Sequence, residues 1–121
     1  MQGPNLCYDC SEFHAARLTG LPCCPLSAPL TKSLNYNAKN QDSSPWIEQT
    51  GLATSTNLVH WQCCPANPVL KVGPPGAFDD VFASDPCVLR LDDGCVMFYF
   101  GNCSDGHARD SAAFSPDLLT W

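Results

Sequence analysis

The sequence predicts an all-β protein assembled from repeated sheet units. Three observations carry that prediction. Two β-prone runs, Cys87 to Leu91 and Cys95 to Phe100, are joined by Asp92, Asp93 and Gly94, the pattern of a β-hairpin. A short unit occurs twice: Ala53, Ser55, Asn57, Leu58 and Trp61 align without gaps on Ala113, Ser115, Asp117, Leu118 and Trp121, at an offset of 60 residues. No window shows sustained apolar spacing of three and four residues, so helices are expected to be few. A period of this size in β units points to propeller blades or another repetitive sheet array.

Taken in order, residues 1–34 form an irregular Cys/Pro-rich segment, and a β domain is expected over 35–121. Cys7, Cys10, Cys23 and Cys24 with His14 between them can be drawn as a zinc site. Their spacing lacks a second Cys-x-x-Cys or His pair, so the segment reads as irregular chain with incidental cysteines. Leu34 to Ala38 is a strand candidate, Lys39 to Pro45 a polar loop, and Trp46 to Ser55 a second strand broken by Gly51. Pro65, Pro68, Pro74, Pro75 and Gly76 mark a long connection, with Val69 to Val72 as a short extended piece. Asp85 precedes Pro86, which biases it toward extended backbone and sets an ionised side chain where a strand begins. The aromatic strand ends near Gly101, and Asn102 to Asp110 form a polar loop. In each copy of the repeat, Ser and Asx side chains can bond nearby backbone and fix a tight turn, after which the Trp folds back as an apolar plug.

Composition bounds the partners. The 121 residues carry a net charge of −6 and only six Lys or Arg, with no basic cluster, so nucleic acid is not an expected partner. No apolar run approaches the roughly 18 residues of a membrane span, and no signal peptide is visible, which leads to an expectation of the cytoplasm. Nine cysteines is an odd count that cannot pair fully within one chain; without an export signal most are expected to be reduced thiols.

The twice-used Ser-x-Asx-Leu-x-x-Trp unit, the Ser84-Asp85-Pro86 lead into a hairpin and the Met97 to Gly101 aromatic strand together resemble the five-bladed β-propeller glycosidases. More narrowly, Tyr36 to Trp121 is similar to a bacterial subgroup related to glycoside hydrolase families 43 and 32. The resemblance implies a five-bladed propeller, present here as about two blades. It implies hydrolysis of O-glycosidic bonds in oligo- or polysaccharides. In that family three carboxylates at the central channel do the work, because a cationic sugar transition state needs one proton donor and one carboxylate that stays ionised.

Only Asp85 maps onto these three, as the supporting Asp of the Asp-Pro context. Glu12 and Glu48 do not sit in the family's acid motif, so the chain is expected to be a truncated or inactive fragment, poorly stable alone. Asn37, Asp79, Asp80, His107 and Arg109 are candidate sugar contacts. Each has a plain alternative: a strand-terminating Asn, solvated loop acids, and a salt-bridged surface loop. Trp46 is either a sugar-stacking ring or a buried blade residue. The resemblance implies a carbohydrate partner and no nucleotide or redox cofactor; Cys87, Cys95 and Cys103, eight residues apart, read as small apolar positions, with neither a nucleophilic Cys–His pair nor a metal box supported. Two other classes stay open: a non-catalytic carbohydrate-binding fragment, and a glycoside phosphorylase, for which only His107 and Arg109 hint at a phosphate site.

Overall fold

The computed structural model describes Leu18–Thr19, residues 31–39 and residues 46–121. Every regular element among them is a strand: β1 (Leu18–Thr19), β2 (Lys32–Lys39), β3 (Glu48–Ser55), β4 (Gln62–Cys63), β5 (Phe82–Leu91), β6 (Gly94–Asn102) and β7 (Ala108–Ser115). They fall into two antiparallel groups, β1-β2-β3-β4 and β5-β6-β7. A single parallel pair, Glu48 with Phe82, joins the groups at one end. The N-terminal cysteines and His14 lie outside the described residues.

The β5–β6 hairpin forms as expected, with Leu91 paired to Gly94 across the two-residue turn Asp92–Asp93. Gly94 has φ 150°, open to a residue without Cβ. The second strand departs from expectation at Gly51, where β3 runs on unbroken. Gly51 pairs with Tyr36 on β2, and the Tyr36 ring lies where a Cβ on Gly51 would go. The glycine is therefore a socket for the ring, not a strand breaker. The loop after β6 is also shorter than expected, since Ala108, Arg109 and Asp110 already belong to β7.

The two copies of the repeat end β3 and β7 and build the same turn. Ser55 Oγ accepts the Asn57 and Leu58 backbone N–H groups at 3.2 and 2.8 Å. Asn57 Oδ1 accepts those of Val59 and His60 at 3.0 and 2.8 Å. In the second copy, Ser115 Oγ accepts Asp117 N–H at 3.3 Å, while Asp117 Oδ1 accepts Leu119 and Thr120 N–H at 2.9 and 2.8 Å. Leu58 and Leu118 share left-handed backbone, φ 63° and 67°. Trp121 folds back to donate its indole N–H to Leu118 O at 3.0 Å.

The core lies between the groups. Leu52 of β3, with Val69 and Leu70 of the long connection, meets Ala83, Val88, Met97 and Tyr99 of the second group. Thr50 Oγ1 crosses the same boundary to Ala83 O at 3.0 Å, and Leu70 bridges to Thr50. A smaller cluster of Tyr36, Ala38 and Ala53, covered by Trp61 and Cys63, sits on the opposite face of β2–β3. Cys63 is disulfide-bonded, so the expectation of reduced thiols does not hold for it; Cys64, Cys87, Cys95 and Cys103 are free.

Candidate functional site

Asp85 does not sit at a strand start or in extended backbone. β5 begins at Phe82, and Asp85 lies inside it, where the register with β6 shifts between Ser84 and Cys87. Its φ is 52°, in the left-handed region. The bulge explains the departure. Pro86 has no N–H to give a ladder, so it belongs at a bulge, and Asp is among the few residue types that visit left-handed backbone at modest cost.

The conformation is held from the other sheet group. Asn37, near the end of β2, accepts the Asp85 backbone N–H through Oδ1 at 2.7 Å. Its Nδ2 donates to Asp85 Oδ1 at 2.6 Å, a short bond to the carboxylate. One amide side chain thus satisfies both the main chain and the side chain of Asp85. Sequence reading singled out both residues but not their pairing, since nothing in the spacing of 48 positions announces it. Two buried polar groups flank the pair. Asn35, two residues before Asn37 on the same face of β2, leaves both amide atoms without a hydrogen bond, as does the Ser84 hydroxyl.

An aromatic patch stands at the same end of the strands, on the row where Lys39 pairs with Glu48 and Glu48 with Phe82. Trp46 is 52% exposed, so it is not a buried blade residue. Its ring meets Phe82 edge-on at 6.4 Å, and Lys39 Nζ lies 4.2 Å from the ring centroid while pairing with Glu48 at 3.3 Å.

Of the other candidate contacts, Asp79, Asp80 and His107 are already engaged within the chain. Asp79 is buried and accepts the Tyr99 hydroxyl at 2.9 Å. Asp80 ties two loops together: its carboxylate accepts Gly76 N–H at 2.7 Å, Ser104 N–H at 2.8 Å and Ser104 Oγ at 3.0 Å. Those backbone donors hold its carboxyl below the usual range. His107 Nδ1 lies 3.0 Å from Asp105 Oδ1. The Cys103 thiol and the His107 backbone N–H donate to the same Asp105 oxygen, and together they drive that carboxyl far below the usual range. Arg109 is exposed on β7. The structure thus brings Asn37 to Asp85 and gives Asp79 and Asp80 bonds that hold loops. The Cys103–Asp105–His107 cluster was not foreseen, although its alternate spacing on a short hairpin loop is visible in the sequence.

These features define an all-β array of blade-like sheets with an acid held at the junction of two blades. Comparison with solved structures gives the fold a name: the chain matches propeller glycosidases over part of their length. The GH32 β-fructofuranosidase BmSUC1 of Bombyx mori matches with TM-score 0.69 and 20% identity, over 90% of this chain and 22% of its own. A mutant of that enzyme in complex with sucrose gives 0.63 and 24%, over 75% and 19%. A glycoside hydrolase gives 0.57 and 25%, over 77% and 26%. The chain therefore spans about a fifth to a quarter of the proteins it matches. No family model and no curated protein matches it.

Proposed function

We propose that this chain is part of a glycoside hydrolase-like protein that binds oligo- or polysaccharides, with Asp85 as the supporting carboxylate of its site. The observation that carries the reading is the Asn37–Asp85 junction. A carboxylate on a left-handed bulge, fixed by both its backbone and its side chain, is the kind of strained, held group that functional sites keep. A supporting acid must stay aimed, and the Nδ2–H bond from Asn37 fixes the direction of the carboxylate. The exposed Trp46 ring beside Phe82 is a stacking surface for an apolar sugar face. The motif set of Asp85, Pro86 and the Trp repeats supports a relation to glycoside hydrolase families 43 and 32, and a phosphorylase ranks lower because only His107 and Arg109 suggest a phosphate site. The exposed aromatic also suits a second reading, carbohydrate binding without turnover.

Saturation-transfer NMR of the whole chain against sucrose, fructo-oligosaccharides and arabino-oligosaccharides tests the proposal, with product release followed in parallel. The expected result is millimolar binding to one of these classes that Trp46→Ala and Asp85→Ala each weaken. Binding without product release selects the second reading. Loss of product release in Asp85→Asn with binding kept places Asp85 in the chemistry. No transfer to any of the sugars would overturn the reading.

A further inference from the structure

The loop between β6 and β7 gathers three side chains of different ligand chemistry within five residues. Cys103 Sγ, an Asp105 carboxylate oxygen and a His107 imidazole nitrogen all lie within 4.8 Å of one another. Backbone bonds fix the loop: Cys103 N–H donates to His107 O at 3.0 Å, and Gly106 N–H donates to Cys103 O at 2.9 Å. The loop is anchored from outside as well, since Ser104 gives both its N–H and its hydroxyl to Asp80.

We propose that Cys103, Asp105 and His107 form a binding site for a divalent transition-metal ion of the Zn(II) class. Without metal, two side-chain groups converge on one oxygen: the Cys103 thiol and the His107 Nδ1 both approach Asp105 Oδ1. A divalent cation replaces their protons at the same point. Binding releases the Cys103 thiol proton to solvent and leaves a thiolate ligand. The proton on His107 Nδ1 also leaves to solvent, the ring carries one proton on Nε2 and offers the Nδ1 lone pair, and Asp105 binds as the carboxylate.

The donor set decides the ion. Thiolate with imidazole selects Zn(II) and its neighbours over Mg(II) or Ca(II), which require oxygen ligands. Metal–sulfur and metal–nitrogen bonds of about 2.3 and 2.0–2.1 Å place tetrahedral ligand atoms roughly 3.5 Å apart. The 4.8 Å spread of the ligand atoms has to contract to that distance when the ion binds. Three protein ligands leave a fourth position, and the exposure of Asp105 and His107 puts that position in water. The inference stands apart from the glycosidase reading, since neither Asp85 nor Asn37 enters it.

Titration of the whole chain with Co(II), followed by displacement with Zn(II), tests the site. One equivalent of Co(II) is expected to give a near-ultraviolet thiolate charge-transfer band that Zn(II) abolishes. Cys103→Ser should remove the band, and Asp105→Asn and His107→Gln should each weaken Zn(II) binding more than about tenfold, the loss that even outer-shell changes produce. Far-ultraviolet circular dichroism of each variant checks the fold, which surface loop substitutions should leave intact. Absence of the band at millimolar Co(II), or equal Zn(II) affinity in Cys103→Ser with His107→Gln, would overturn the proposal. The second outcome places any metal on other cysteines.

Discussion

Asn37→Ala removes both bonds to Asp85 while leaving the strand intact. The Asp85 N–H to Asn37 Oδ1 bond, at 2.7 Å, is of the neutral kind, worth about 1 kcal/mol. The Asn37 Nδ2 to Asp85 Oδ1 bond, at 2.6 Å, has a carboxylate acceptor and is worth about 1.5–3 kcal/mol. The pair is reached by solvent, so water recovers roughly half of that sum, and the expected loss is about 1–2 kcal/mol. Urea unfolding of a small protein has a slope of about 1–3 kcal/mol per molar, so the midpoint should fall by roughly 0.5–1 M. Amide hydrogen exchange supplies a local readout: the Asp85 N–H, bonded in the native chain, should exchange faster in the variant. Asn37→Asp sharpens the test. It keeps an acceptor for Asp85 N–H but sets two carboxylates face to face, so at neutral pH it should fall at least as far. An unchanged urea midpoint together with unchanged exchange at Asp85 would refute the idea that Asn37 holds the junction.

Two further outcomes are expected. Gly51→Ala drives a Cβ into the Tyr36 ring and should lower stability by about 1–3 kcal/mol, read as a fall in the urea midpoint, whereas an unchanged midpoint would show that the ring is free to move. Asp80, Asp105 and Asp117 all have carboxyls held below the usual carboxylate range by hydrogen bonds to their charged forms. Groups depressed in the folded state add stability above their unfolded pKa and lose it as pH falls through the folded one, so stability should be level near neutrality and decline below about pH 4. Asp117→Asn should flatten part of that acid limb; an acid profile identical to the parent's would contradict the role given to the second Ser-Asx turn.

Much of the fold was legible because its signals are local. The hairpin needs only two β-prone runs and an Asp-Gly turn, and the Ser55–Asn57 and Ser115–Asp117 turns need side chains that bond their own backbone a few residues away. The 60-residue offset then implies two similar sheet groups. What sequence could not show depends on partners far along the chain. Gly51 read as a breaker because the Tyr36 ring it accommodates comes from another strand. The proline rule gave Asp85 extended backbone, and it failed because a bulge and a distant Asn37 outweigh a preference of neighbours. Asp79 and Asp80 were legible as acids near a strand entrance, but their bonds to Tyr99, Gly76 and Ser104 are tertiary. The thiol, carboxylate and imidazole of the β6–β7 loop alternate in sequence, yet only the tight turn makes them converge.

The repeated turn places its two leucines under unequal constraint. Leu58 and Leu118 adopt the same left-handed backbone, which disfavours β-branched side chains at both positions. Leu58 is 49% exposed and packs in neither buried cluster, whereas Leu118 is 3% exposed and belongs to the main one. At position 58 the backbone alone does the choosing, and glycine or asparagine meets its demand as well as leucine does. At position 118 backbone and core choose together, and few residue types satisfy both. Equivalent places in a duplicated unit therefore tolerate different sets of residues, and within this chain the Ser, Asx and Trp positions define the repeat more firmly than the leucines do.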